Sequence, residues 1–467
     1  MKQLWAHQAA CLEWSKDKTG MALLMPIGVG KTLTAIKILE DKYTQMGSIQ
    51  RTVIFGTPSI LHAWKREVLS EMQGVHSDQV LLADSSVRAK KHFQQLAENA
   101  KIIITNYEAL TSEKSLRVLQ GFGAKVLVAD ESTKIKSYGS KRTKAIFTLS
   151  KQAKVKIALT GTPVTQTYGD LWSQFKFFDD GESFGTNYFE FRKRYFYDDN
   201  AGKRWFKFPS WKVKKESIPF FESKLAEKGF SVDKSKCIDL PDYVQETLEV
   251  ELTSTQRKAY EEIKTDLVTI LGENVIAADL AIVKLIRMLQ ICSGHVKGDS
   301  GVVLFDDNPK VEALSDLLEG IIDSSKVIIW ASFTEDYKAI EKLLKKLNIK
   351  YVKITGQENT KQKAESEVSF QTDPEVRVII CNQKSASHGL TLTAADTAIY
   401  FSKSYSAEED IQSAGRNYRG GSEVHSKITR VDIVCKDTVE ENIMARLAEK
   451  HEMGNKSILA ALKEDFL

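Results

Sequence analysis

"MALLMPIGVGKTLTAIKILEDKY" (21–43) is the stretch that decides the fold. Its first residues, "MALLMP" (21–26), form an apolar run of strand length. The chain then turns through "GVGKT" (28–32) and continues with the apolar spacing of a helix. Gly28 and Gly30 allow a backbone that curls so that successive N–H groups, that of Val29 included, face one anion. The start of the helix adds positive potential. In such a setting Lys31 reaches the β- and γ-phosphates of a nucleotide and the Thr32 hydroxyl ligates Mg²⁺. The full GxxxxGK[ST] pattern has glycine where this chain has Met25, so an ordinary strand–helix turn stays open on this stretch alone.

Working outward, the same alternation repeats. "RTVIFGTP" (51–58), "KIIITNYEAL" (101–110), "AKVLVADE" (124–131) and "KVKIALTGTP" (154–163) are near-continuous apolar runs separated by helical stretches. That is the signature of a parallel sheet covered on both faces. One run, "VLVADESTKIKS" (126–137), ends in two adjacent acids, Asp130 and Glu131. Buried carboxylates are costly unless paired or bound to a metal. After a phosphate loop, Asp130 is placed to hold Mg²⁺ and Glu131 to polarise the attacking water. The competing reading is a solvated strand end that caps a helix.

The pattern breaks near 170. Residues 175–230 are aromatic and basic, and the turn signal "DDNAG" (198–202) predicts a hairpin or small inserted module. Residues 237–252 read as an extended crossover and 254–293 as long helices. Strand candidates then resume at 325–333, 350–356, 376–385, 396–404 and 427–437. In "QSAGRNYRGG" (412–421), Arg416 and Arg419 lie three apart, which predicts one shared helix face. Their guanidinium forks suit a transferring phosphoryl group, although an exposed basic helix end is the plain alternative.

The totals set bounds. A chain of 467 residues suits two or three domains. With 66 basic and 62 acidic side chains the net charge is +4, so any basic surface is local. Five scattered cysteines without a CxxC pair read as reduced thiols, not as a zinc or disulfide framework. The start of the chain lacks a signal-peptide apolar region and no apolar run is long enough to span a membrane. The expectation is a cytoplasmic monomer: in a bacterial cytoplasm or nucleoid, or in a host cytoplasm if viral.

With these residues in order, the chain resembles the ATPases of helicase superfamily two, and within them the Swi/Snf-type DNA translocases. "LWAHQ" (4–8) looks like the adenine-reading element, with Gln8 as the base contact. "MPIGVGKT" is similar to motif I. "GTPSILHAWKREV" matches the motif Ia pattern through Pro58, Leu61, Trp64 and Glu67. "DEST" (130–133) stands for motif II, "LTGTP" (159–163) for motif III and "KVIIWASFT" for motif IV. "SASHGLTLTAAD" (385–396) resembles motif V and "QSAGRNYRGG" motif VI. "LPDYVQETLEVELTSTQRKAYEEI", "MLQICSG" and "NPKVEAL" are similar to the Swi/Snf-type linker. Motif II carries Thr133 where the family has histidine.

The resemblance implies an α/β fold of two RecA-like parallel-sheet lobes in tandem, with an aromatic and basic insertion and a helical linker between them. The expected divisions are 1–240 for the first lobe, 241–305 for the linker and 306–467 for the second lobe. It further implies ATP and Mg²⁺ as ligands, with Thr32 and Asp130 on the metal. Gln412, Arg416 and Arg419 complete the chemistry from the second lobe, and Gly389 relays lobe closure. The length leaves no room for a chromodomain-like module, which fits a compact bacterial or phage member.

Two basic segments are candidate nucleic-acid contacts: 134–156, with eight Lys/Arg and no acid, and 191–215, with nine Lys/Arg among aromatics. They supply Lys134, Lys136, Lys141, Arg142, Lys203 and Arg204. Ser59, Thr105 and Asn106 join them by resemblance to motifs Ia and Ib. The aromatics of the insertion read as packing. The leading expectation is a nucleic-acid-dependent ATPase that tracks along double-stranded DNA. A strand-separating DNA or RNA helicase and a motor-like subunit of a repair, replication or defence complex stay open as alternatives.

Overall fold

The computed structural model describes residues 3–452 except 27, 166, 203–208, 233–236, 238–239, 274–277, 299–300, 387–389 and 405. The chain divides into two compact units at Asp239–Leu240. No helix among the described residues is long and apolar enough to cross a membrane.

The first unit is built on strands β1 (Gly20–Leu24), β2 (Thr52–Gly56), β3 (Val80–Ala83), β4 (Ile102–Asn106), β5 (Val126–Asp130) and β6 (Val155–Leu159). Two short strands, β7 (Phe196–Asp198) and β8 (Trp211–Val213), follow, and β9 (Gly229–Ser231) closes the unit. The sheet order is β3-β4-β2-β5-β6-β1-β9, and every neighbouring pair is parallel. Every residue of β2, β4, β5 and β6 is buried, because helices cover both faces. Two apolar clusters result. One holds Val53, Phe55, Leu127 and Phe175, the other Leu23, Ile36, Ile54 and Trp64.

The insertion carries a small antiparallel hairpin between helices. Helix Tyr188–Tyr195 leads into β7, which pairs with β8. The turn signal at 198–202 does open this hairpin. Phe191, Phe196 and Phe221 are buried and extend the first cluster, so these rings are packing residues. Phe189 is exposed.

The second unit contains β10 (Asp242–Val250), the hairpin β11 (His295–Gly298) and β12 (Gly301–Leu304), then β13 (Val327–Ala331), β14 (Tyr351–Ile354), β15 (Val378–Asn382), β16 (Thr397–Tyr400) and β17 (Lys427–Cys435). The sheet order is β10-β17-β16-β13-β15-β14, again all parallel. Thus two parallel-sheet lobes are present, as the apolar runs predict. The segment read as an extended crossover is instead the edge strand β10, in register with β17 over its whole length. Helices Ser254–Glu273 and Ala278–Cys292 follow it. Tyr260, Leu285 and Met288 form a further cluster with Cys435 and Val439.

Candidate nucleotide site and its partners

In the first unit, chemistry gathers at the carboxyl ends of β1 and β5, the usual ligand edge of a parallel sheet. Both strands flank β6, and Leu23 and Asp130 each face Leu159. The loop after β1 turns through Gly28 at φ 91° and Gly30 at φ 79°, both left-handed. Gly30 begins helix Lys31–Gln45. A Cβ on Gly30 would lie 2.3 Å from Gln8 Nε2, so a side chain is excluded by space as well as by φ. Lys31 Nζ donates to the carbonyls of Met25 (2.8 Å) and Pro26 (3.0 Å), which folds the loop back over its own lysine.

The helix Ala6–Ser15 brings two side chains onto the loop. Gln8 Nε2 donates to Gly30 O at 3.2 Å, while its Oε1 accepts from Trp5 N at 2.8 Å. A ring nitrogen of His7, Nε2, lies 2.9 Å from Val29 O. Thr32 is half-buried in the first turn of the following helix.

Asp130 ends β5 and is 9% exposed. Burial raises its carboxyl above the ordinary range; the hydrogen bond from Trp64 and the positive charge of Lys31 oppose the rise. Trp64 Nε1 donates to Asp130 Oδ2 at 2.7 Å, and Tyr107 OH donates to Asp130 O at 2.8 Å. Glu131 has φ 59°, one of four left-handed non-glycine residues among those described. Such a conformation costs about 1–2 kcal/mol. Thr133, in the place of the family histidine, donates its hydroxyl to Glu131 Oε1 at 3.2 Å.

In the second unit, Gln412 lies on helix Ala407–Ala414. Arg416 and Arg419 do not share a helix face, because that helix ends at Ala414 and Gly415 caps it. They come together by a turn. Arg416 Nη1 and Arg419 Nη1 both donate to Leu390 O, at 3.1 and 3.2 Å, and Arg416 Nε donates to Gln412 O at 2.8 Å. Arg416 is buried, so the exposed basic helix end is excluded. The helix is tied down by buried charge. Arg430 forks onto Asp410 at 2.8 and 3.0 Å, its Nε reaches Asp432 at 3.0 Å, and Lys403 meets Asp432 at 2.8 Å. Gly389 lies outside the described residues.

Two family models cover this geometry. The SNF2-related domain matches residues 7–295, well over half of the chain, and the helicase conserved C-terminal domain matches residues 309–421. The chain belongs to the SNF2-related family of helicase-like ATPases.

Among its relatives is an uncharacterized ATP-dependent helicase of Mycoplasma genitalium, 25% identical over 98% of this chain and 42% of that protein. Protein p41 of Acyrthosiphon pisum secondary endosymbiont phage 1 is 26% identical over 94% of each. The chain therefore spans about two fifths of the Mycoplasma relative and nearly all of the phage one. The Sulfolobus solfataricus SWI2/SNF2 ATPase core in complex with dsDNA is 24% identical, over 100% of this chain and 95% of that one, at TM-score 0.43.

In this SNF2-family chain the candidate polynucleotide contacts fall into two groups. Lys134 and Arg142 are half-buried and Lys141 is exposed at the start of helix Lys141–Ser150. The others make the contacts that follow or are not described, and Lys134 too has a partner within the fold. Lys136 Nζ donates to Thr165 Oγ1. Lys156, counted in the basic segment, is buried and paired with Asp180 at 2.5 Å. Thr105 is fully buried and donates to Ala83 O at 2.7 Å. Arg88 donates to Thr105 Oγ1 at 3.0 Å and to Asn106 Oδ1 at 2.6 Å. Lys203, Arg204 and the Ser59 side chain lie outside what the structure describes.

Sequence reasoning missed Trp64 as the partner of Asp130, Tyr107 below it, and Arg88 beside Thr105. The motif Ia pattern had singled out Trp64 without a role. Nothing in the spacing pointed to Arg88.

Proposed function

We propose that this chain hydrolyses ATP with Mg²⁺ in response to double-stranded DNA and tracks along the duplex. The observation that carries the reading is the approach of two opposite requirements at one sheet edge. Lys31 sits in a left-handed glycine loop, and its charge acts on a buried carboxylate, Asp130. A buried carboxylate whose ionised form is disfavoured fits a divalent cation, as does a hydroxyl in the first helical turn. Asp130 and Thr32 are the residues that would hold the ion. Mg²⁺ bound with ATP neutralises charge that develops on the phosphate oxygens.

The roles of the chain's own groups follow. The loop N–H groups after Gly28 and the Lys31 ammonium bind phosphate oxygens. Gln8, already placed on Gly30, orients the base and reports its presence to the loop. Glu131, held by the Thr133 hydroxyl, accepts the proton of the attacking water. One of Arg416 and Arg419 supplies the transition-state cation of an arginine finger, worth about 10³–10⁵ in rate in related chemistry, and the neutral Gln412 amide joins them as a polar contact. Lys134, Lys141 and Arg142 contact backbone phosphate. The five cysteines are all free thiols, which supports a reducing compartment such as the cytoplasm.

The test is steady-state ATP turnover against a panel of duplex, single-stranded and branched DNA and RNA duplex, with strand displacement measured in parallel. Turnover raised most by plain duplex DNA, without displacement, supports the proposal. Robust displacement of forks or RNA duplexes replaces it with a strand-separating helicase, and indifference to every polynucleotide overturns it.

A further inference from the structure

The hydrogen bonds around the third residue of "DEST" lead away from the nucleotide site. Ser132, buried, donates its hydroxyl to Gln174 Oε1 at 2.7 Å. The other end of the same amide, Nε2, donates to Pro163 O at 2.7 Å and to Asp170 O at 2.9 Å. Gln174 is itself 3% exposed, on helix Asp170–Asp179. One turn earlier on that helix, Asp170 Oδ2 accepts from Thr165 N (2.9 Å) and Thr165 Oγ1 (2.8 Å). Thr165 Oγ1 also accepts from Lys136 Nζ.

Thus two side chains spaced i, i+4 on one helix hold the segment after the catalytic acids against the 160–165 turn. The spacing explains why both point the same way. The chemistry explains why one of them is glutamine. The position needs an acceptor at one end and a donor at the other, which a carboxylate, an ammonium or an aliphatic chain does not offer. Burial makes both ends obligatory, since an unmet partner there is left without water.

We propose that Gln174 is a positioning residue that couples the nucleotide site to the nucleic-acid-contacting face. A shift at Asp130–Ser132 is passed through the amide to Pro163, and through Thr165 and Asp170 back to Lys136, which is held within the fold two residues from Lys134 of the nucleic-acid-contacting segment. The proposal rests on the DNA-stimulated ATPase reading above. It adds a residue outside the phosphate loop, the acidic pair and the arginines.

The experiment compares the full chain with Gln174→Glu and Gln174→Met. Glutamate keeps the acceptor for Ser132 but loses the donor to Pro163 and sets a negative charge beside two carbonyls. Methionine keeps the length and loses all three bonds. Thermal midpoint, KM for ATP, turnover without DNA and turnover at saturating duplex DNA are measured for each. The expected result is unstimulated turnover and KM within about twofold of wild type. The stimulated rate falls about tenfold, the scale of a net hydrogen bond or two. Both variants lose it, because each lacks the Pro163 bond.

Variants that keep the wild-type ratio of stimulated to unstimulated turnover overturn the inference while leaving the functional reading intact. A proportional fall in both rates also overturns it, since that marks a structural role. A wild-type protein indifferent to DNA removes the functional reading, and the coupling with it.

Discussion

Arg430→Met tests whether buried charge holds the helix that carries Gln412. Arg430 is 4% exposed, Asp410 2% and Asp432 0%. The guanidinium forks onto Asp410, reaches Asp432 through Nε, and stacks over the Tyr400 ring at 3.9 Å from its centroid. Methionine fills much of the volume and removes every donor. Asp410 then loses the guanidinium fork, while Asp432 keeps Lys403 at 2.8 Å. Breaking a buried pair from one side costs about 3–5 kcal/mol. For a unit of this size each kcal/mol is worth about 2–4 °C, so the midpoint of the unit that begins at Leu240 falls by roughly 6–20 °C. Arg430→Lys keeps the charge but not the fork, so its loss is intermediate. Scanning calorimetry of the full chain reads the midpoint, and ATP turnover well below it reads the displacement of Gln412 and Arg416. If Arg430→Met melts within about 2 °C of wild type, an effect below the 1 kcal/mol scale, the network does not anchor that helix.

Three further outcomes follow from the same geometry. Gly30→Ala places a Cβ against Gln8 at a left-handed φ, costs about 1–2 kcal/mol, and weakens ATP binding in equilibrium titration without melting the second unit. Arg416→Ala lowers kcat by about 10³ or more with little change in KM, as expected for a group that acts on the transition state. Asp336 is fully buried, and burial pushes its carboxyl up to about 7. Between about pH 4 and 7 the folded chain holds a proton that the unfolded chain has released, so this group's contribution falls as pH rises, by up to about 1.4 kcal/mol per unit. Asp336→Asn removes that slope, and urea melts at several pH values show the variant gaining on wild type from acid to mildly alkaline solution.

The parts of the fold that were legible are those where burial on two faces forces continuous apolar runs. β2, β4, β5 and β6 were all visible for that reason. Edges were not. β3 is four residues, only half of them buried, and β9 is three residues beginning at a glycine pressed against Leu24 and the Leu225 carbonyl. β10 has no buried residue, and its mixed polar pattern reads as linker. The glycine turn after β1 and the acid at the end of β5 were legible because backbone conformation and charge are written locally. Trp64 and Tyr107 meet Asp130 from 66 and 23 residues away, Gln174 meets Ser132 from 42, and no spacing rule reports such contacts. The arginine pair shows the reverse error. A three-residue spacing implies one helix face only while the helix lasts, and Gly415 ends it first.

The most direct measurement is ATP turnover by the wild-type chain and by Lys31→Ala, each with and without duplex DNA. The account predicts a wild-type rate that rises strongly with DNA, and a Lys31→Ala rate lower by about 10²–10³, the scale of losing one preorganised contact to developing charge, in either condition. Equal turnover with and without DNA, or hydrolysis that survives the loss of Lys31, would contradict it.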